Sequence, residues 1–154
     1  MRVITCVDKR NGIFFNKRRQ RRDRKVIEEM YDHLSNAPIY STEYSEILFQ
    51  DVPDCHVIVA AEGNNTDRLL TNGDNVILPD DKDLTFFVEG AILLPFEEHI
   101  NELVLYRWDK VYPADQYLDI FLPAWNKIAS RKFIGHSHDL ITEEIYVRKE
   151  QSLW

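Results

Sequence analysis

Apolar residues in this chain fall in short runs whose spacing changes from segment to segment. RVITCV, Arg2 to Val7, is an unbroken β-forming run and predicts a central strand. Asn11 and Gly12 supply turn chemistry behind it, and IFF follows as a short extended piece. Then the apolar period lengthens to that of a helix. Val26, Ile27, Met30, Tyr31 and Leu34 share one face, opposite Arg24, Lys25, Glu28, Glu29 and Asp32. This predicts a helix over about residues 20–35, capped by Asn36 and closed by Pro38.

The remaining runs are shorter. PIYST predicts a strand leading into EYSEILF, a short helix or turn. HVIVAAE is apolar without alternation, as in strands covered on both faces. GNNTDRLLTNGDN is turn-rich, VILP offers a short strand, and DLTFFVEG offers a stronger one closed by Gly90. NELVLYRWDKVYP is long and partly alternating. WNKIASRKFIG and EEIYVRK predict an antiparallel pair at the sheet edge. About seven strands and two or three helices, with hairpins towards the end, give an α/β layer architecture.

Composition narrows this picture only a little. With 154 residues, 44% of them hydrophobic, the chain suits one domain over 1–154 with one core. No uncharged apolar run is long enough for a membrane helix, and the first residues lack the pattern of a secretion signal. Cys6 and Cys55 lie in strand-like runs and read as buried free thiols, so a cytoplasmic protein is expected.

Charge changes the picture more. The net charge is −7, yet residues 1–25 hold ten Lys or Arg against two Asp, so the remainder carries −15. KRRQRRDRK, Lys17 to Lys25, holds seven of the basic residues. On a helix, Arg18, Arg21, Arg22 and Lys25 would share a face able to meet phosphate, RNA or an acidic protein partner. A homodimer is the default expectation for oligomeric state.

Several strings together resemble dihydrofolate reductases. VITCVDKRNGI is similar to the family's first strand and the loop after it, which lies over the nicotinamide of NADPH. APIYSTEYSEIL resembles the second strand and its helix, PDCHVIVAAE the third strand, and DLTFFVEG the strand ending in paired glycines. The segment from NELVLYRWDK through Asp115 to WNKIASRKF resembles the family's closing strands. The resemblance implies a mixed central sheet with helices on both faces and a C-terminal antiparallel hairpin. It implies a hydride-transferring reductase in which Asp23 is the acid, Asn11 and Gly12 flank the cofactor, and Thr42 and Gly90 touch its phosphates. Two positions depart from the family: Glu43 replaces a basic residue, and Glu89 replaces the first of the paired glycines. Both oppose NADPH phosphates. The basic 17–25 segment replaces an apolar substrate entry. The ligand expected between the first helix and the sheet is therefore a small anion, nucleotide or pterin-like. A non-enzymatic binding or assembly module using the basic segment is the alternative.

A third class is suggested by FIGHSHDL. It is similar to the His-x-His-x-Asp-His string of the tRNA 3′-processing ribonucleases (ribonuclease Z). His136 and His138 match its first two histidines, but Asp139 arrives one residue early and no histidine follows. A polar hairpin loop accounts for the string without a metal, so no metal ligands are assigned.

Overall fold

The computed structural model describes residues 1–34, 38–53, 55–72, 75–76, 84–90 and 92–149. In chain order the strands are β1 (Arg2–Val7), β2 (Gly12–Phe15), β3 (Arg18–Arg19), β4 (Ile39–Thr42), β5 (Val57–Ala61), β6 (Thr71–Asn72), β7 (Asn75–Val76), β8 (Thr85–Phe87), β9 (Glu102–Trp108), β10 (Gln116–Tyr117), β11 (Trp125–Phe133) and β12 (Ile141–Arg148). The helices are α1 (Arg24–Leu34), α2 (Glu43–Gln50) and α3 (Thr66–Leu69).

Seven strands form one sheet in the order β11-β12-β9-β1-β8-β4-β5. The run β9-β1-β8-β4-β5 is parallel, and β12 is antiparallel to both β9 and β11. The expected mixed sheet and C-terminal antiparallel hairpin are thus present. β12 lies inside the sheet, however, and only β11 forms that edge. β11 carries Lys127, Arg131 and Lys132 and a register shift between Lys127 and Ala129. Charge and a bulge both disfavour pairing with a further strand.

Both faces of the sheet are covered, and β9 shows why its sequence barely alternates. Val104, Tyr106 and Trp108 pack with Val26, Ile27, Met30, Leu48 and Phe49 beneath α1 and α2. Leu103 and Leu105 point the other way, towards Ile13, Phe14, Phe96 and Leu118. Each face removes a full apolar layer from water, the main favourable term in folding.

Two expectations need correction. HVIVAAE was expected to be covered on both faces, but β5 is an edge strand with Val59 40% exposed. An uninterrupted apolar run marks a parallel strand; it does not say where in the sheet the strand sits. The helix expected from about residue 20 begins only at Arg24. Asp23 starts it by accepting the Lys25 N–H at 2.9 Å, an N-cap that excludes the basic residues before it. Asn36 and most of VILP lie outside the described residues.

Candidate functional site

The segment after β1 folds back on itself. Asp8 accepts backbone N–H groups from Arg10 (2.7 Å), Gly12 (2.9 Å) and Tyr112 (3.2 Å), and the Gln20 side-chain amide (3.0 Å). Burial works to raise its pKa, but these four donors hold it below the ordinary carboxylate range. Asn11 adopts a positive φ of 64° and its Oδ1 accepts from Arg107 Nη1 at 2.8 Å. A Cβ on Gly12 would stand 2.7 Å from Asp8 Oδ2 and 2.8 Å from Ala114. Asn11 and Gly12, expected beside a cofactor, therefore lock this loop onto the 107–114 segment.

β2 and β3 then form a hairpin turned by Asn16 and Lys17, both at positive φ. The hairpin brings Phe14 and Arg19 to α2 and Glu89. The Arg19 guanidinium grips Glu89 with two hydrogen bonds, Nε to Oε2 at 2.8 Å and Nη2 to Oε1 at 2.9 Å. Ser45 Oγ donates to the same carboxylate at 2.8 Å, and Arg19 Nη2 also donates to the Tyr44 carbonyl. The Arg19 guanidinium lies 4.3 Å from the Tyr44 ring centroid. Glu89 is buried and Arg19 nearly so, with 7% and 18% side-chain exposure. This is the place the resemblance assigns to cofactor phosphates, beside the start of α2. A carboxylate of the chain itself already takes the positive charge and the hydroxyl there.

Thr42 and Gly90 are engaged in the same region. Thr42 is fully buried and caps α2, its Oγ1 accepting from Ser45 N. Gly90 has φ +65°, and a Cβ there would lie 2.5 Å from the Phe14 ring. Its close neighbour is Phe14, whose ring also meets Tyr44 edge-on at 5.9 Å. Glu43 reaches away to accept the Gly63 N–H at 3.2 Å. The cavity between α1, α2 and the sheet, lined by Cys6, Ile27, Leu48 and Phe87, measures about 30 Å³. That holds about one water molecule, not a ring. The expected seat for a ligand between the first helix and the sheet is narrow in this structure.

Asp23 is the most heavily bonded carboxylate of the site. Besides the Lys25 amide, it accepts backbone N–H groups from His136 (2.9 Å), Ser137 (2.8 Å) and His138 (3.1 Å). The Ser137 hydroxyl and His138 Nδ1 each lie 3.1 Å from Oδ2. Burial works to raise its pKa, but these donors hold it well below the ordinary range. Asp23 thus ties the start of α1 to the β11–β12 loop. An acid must hold a proton to give one, and this carboxyl group is set to stay ionised.

The histidine string is that loop. His136 is exposed, with its Nε2 3.6 Å from Glu28, while His138 is buried and stacked on Trp108 at 4.4 Å. His138 Nε2 lies 3.0 Å from the Tyr112 hydroxyl. Among the described residues no three His, Cys, Asp or Glu side chains gather as a metal site. Burial pushes the Cys6 thiol well up and the Cys55 thiol up to about 11, so neither is a ready nucleophile.

The open space lies outside. A cleft of about 650 Å³ is lined by Arg19, Gln20, Arg21, Arg22, Lys110, Tyr112, Ser137 and His138. Arg21, Arg22 and Lys110 are exposed, and among the described residues none of the three forms an ion pair. Arg21 lies against the Tyr112 ring at 5.1 Å. Arg18, Arg21, Arg22 and Lys25, expected to share one helical face, do not lie on one helix, and the basic residues of 17–25 are dispersed. Arg19 is sealed by Glu89, Arg24 and Lys25 pair with Glu28 and Glu29, and Arg21 and Arg22 face the cleft. Sequence reasoning missed Lys110, Tyr112 and Ser137, because nothing local in the chain joins them to residues 19–22.

No protein-family model and no curated protein matches this sequence. The fold does have solved counterparts. The chain is similar in structure to the dihydrofolate reductase from Enterococcus faecalis complexed with NADP(H) and RAB-propyl, with a TM-score of 0.63, 10% identity and 97% of each chain covered. The architecture is therefore dihydrofolate-reductase-like. At this identity the likeness speaks for the fold alone. No helix among the described residues is long and apolar enough to cross a membrane.

Proposed function

We propose that this protein uses a dihydrofolate-reductase-like scaffold without the family's cofactor groove, and binds a small phosphate-bearing anion in the outer cleft. The carrying observation is the bidentate Arg19–Glu89 pair. A pyrophosphate entering there would have to displace a carboxylate that already accepts from Arg19 Nε and Nη2 and from Ser45 Oγ. Phe14 over Gly90 would oppose its approach as well. The residues present do not fit NADPH in the family's manner, and Asp23 does not fit the acid of a reductase.

Support for the outer cleft is electrostatic and geometric. Its volume is that of a small-molecule site. It gathers cations that have no ion-pair partner among the described residues, in a chain whose net charge is −7. Anions are thereby focused onto one place rather than attracted to the whole surface. The dispersal of the basic segment supports a compact anion over a long RNA footprint, which needs a continuous row of cations.

Calorimetric titration with inorganic pyrophosphate at low and moderate salt tests this reading. Saturable binding that weakens with salt and disappears in Arg21→Glu/Arg22→Glu is the expected result. Absence of binding, or binding untouched by that double change, would refute it.

A further inference from the structure

Two side chains on the cleft wall, Tyr112 and His138, and Asp23 behind them form an ordered chain of hydrogen bonds. The Tyr112 hydroxyl meets His138 Nε2 at 3.0 Å, and His138 Nδ1 meets Asp23 Oδ2 at 3.1 Å. An ionised carboxylate only accepts, so the shared proton resides on Nδ1. In the neutral imidazole Nε2 is then bare and accepts from Tyr112. The imidazole cannot swing freely, because it lies nearly parallel to the Trp108 ring at 13°. Asp23 is itself fixed by four backbone N–H groups.

A buried imidazole needs partners on both nitrogens, and Asp23 and Tyr112 meet that need. The need does not explain where the chain of bonds ends. Tyr112 is half-buried and lines the cleft together with Arg21, Arg22 and Lys110. A hydroxyl, an imidazole base and an orienting carboxylate, in that order, are what activates an otherwise weak oxygen nucleophile. Cations beside it are what phosphoryl chemistry requires to offset charge on the transferred group.

We propose that Tyr112 is the nucleophile of a phosphoryl transfer from a phosphate ester bound in the cleft, with His138 as general base and acid. This rests on the reading of the cleft as an anion site. The Tyr112 oxygen forms a bond to phosphorus, and its proton passes to His138 Nε2. The bond from phosphorus to the leaving oxygen breaks, that oxygen keeps the electron pair, and His138 returns the proton to it. Water then attacks the phosphotyrosyl phosphorus and gives its proton to His138. The Tyr112 oxygen departs with the bonding pair and is reprotonated. Asp23 is a positioning residue: it holds the His138 tautomer and touches no substrate.

The test uses the full chain with p-nitrophenyl phosphate and bis(p-nitrophenyl) phosphate. Nitrophenolate release is followed, and acid-quenched samples are mapped by peptide mass for a phosphoryl group on Tyr112. The wild type should turn over at least one ester and show the adduct. Tyr112→Phe removes one hydroxyl at the cleft wall, and should lose ~100-fold or more in rate and show no adduct. In Asp23→Asn, kcat per folded molecule should fall with KM kept, and nitrogen chemical shifts of His138 should report a changed tautomer. Pyrophosphate binding without turnover or adduct in the wild type would overturn this inference alone. Turnover retained by Tyr112→Phe would also overturn it. Loss of pyrophosphate binding in the wild type would take down the cleft reading with it.

Discussion

The groove at Glu89 and the cleft at Tyr112 lie on either side of the same short segment, residues 19–22, and they are built on opposite principles. In the groove, donors meet acceptors from within the chain: Arg19 Nε and Nη2 have Glu89 and the Tyr44 carbonyl, and Ser45 Oγ has Glu89. In the cleft, Arg21, Arg22 and Lys110 have no anionic partner among the described residues. A buried charge without a partner is too costly to persist, whereas an exposed cation costs little. The groove is therefore complete without a ligand, and the cleft is where a ligand adds something the chain lacks. Arg19 and Arg21, two residues apart, end in different roles: Arg19 closes β3 and turns to Glu89, whereas Arg21 lies past the strand at the cleft rim.

The largest break in this comparison is expected at Asp23, which serves the frame under the cleft. Asp23→Asn turns an amide against a nest of N–H donors and should lower stability by ~3–5 kcal/mol in urea unfolding. A loss below ~1 kcal/mol would mean that the β11–β12 loop does not depend on it. Next comes the groove. Glu89→Leu leaves Arg19 poorly paired and should cost ~2–4 kcal/mol, while Arg19→Met/Glu89→Leu should recover most of that loss. Failure of the double change to recover stability would show that the pair is not a self-contained replacement unit.

Acidity sharpens the contrast more gently. Asp23 and Asp8 have depressed pKa values in the folded chain. A depressed carboxylate contributes stability that is complete above its unfolded pKa, near ~4, and lost as pH falls through the folded value. Stability should therefore decline from about pH 5 downward, and Asp23→Asn should flatten that decline. A wild-type profile level down to pH ~3 would contradict the assignment. The smallest stability effect belongs to the cleft rim. Arg21→Glu/Arg22→Glu should change the unfolding free energy by no more than ~0.5 kcal/mol while abolishing pyrophosphate binding, as expected of residues kept for a ligand and not for the fold.

Much of the fold could be read from the chain, because two-sided burial leaves a plain trace. RVITCV and NELVLYRW are strands whose apolar residues serve both faces, and the α1 face from Val26 to Leu34 shows its helical period directly. The β2–β3 hairpin was not visible. Its turn, Asn16-Lys17, needs positive φ at both residues, and only the asparagine hints at it. For the same reason the run of arginines resembled a helical face. The hairpin and the Asp23 cap that divide it depend on partners about a hundred residues away. Glu89 stood out as a departure from the paired glycines, but its partner Arg19 was hidden among seven basic residues. His138 stood out only through its likeness to a metal-ligand string, since its neighbours Asp23 and Tyr112 are brought together only by the folded chain.

The most direct measurement of the central claim is calorimetric titration of NADPH into the wild type and into Arg21→Glu/Arg22→Glu. If the chain fills its own groove, any NADPH binding comes from its phosphates in the outer cleft, falls with salt, and is lost in the double variant. Micromolar binding that survives in the double variant would place the cofactor in the groove beside Glu89 and contradict the account.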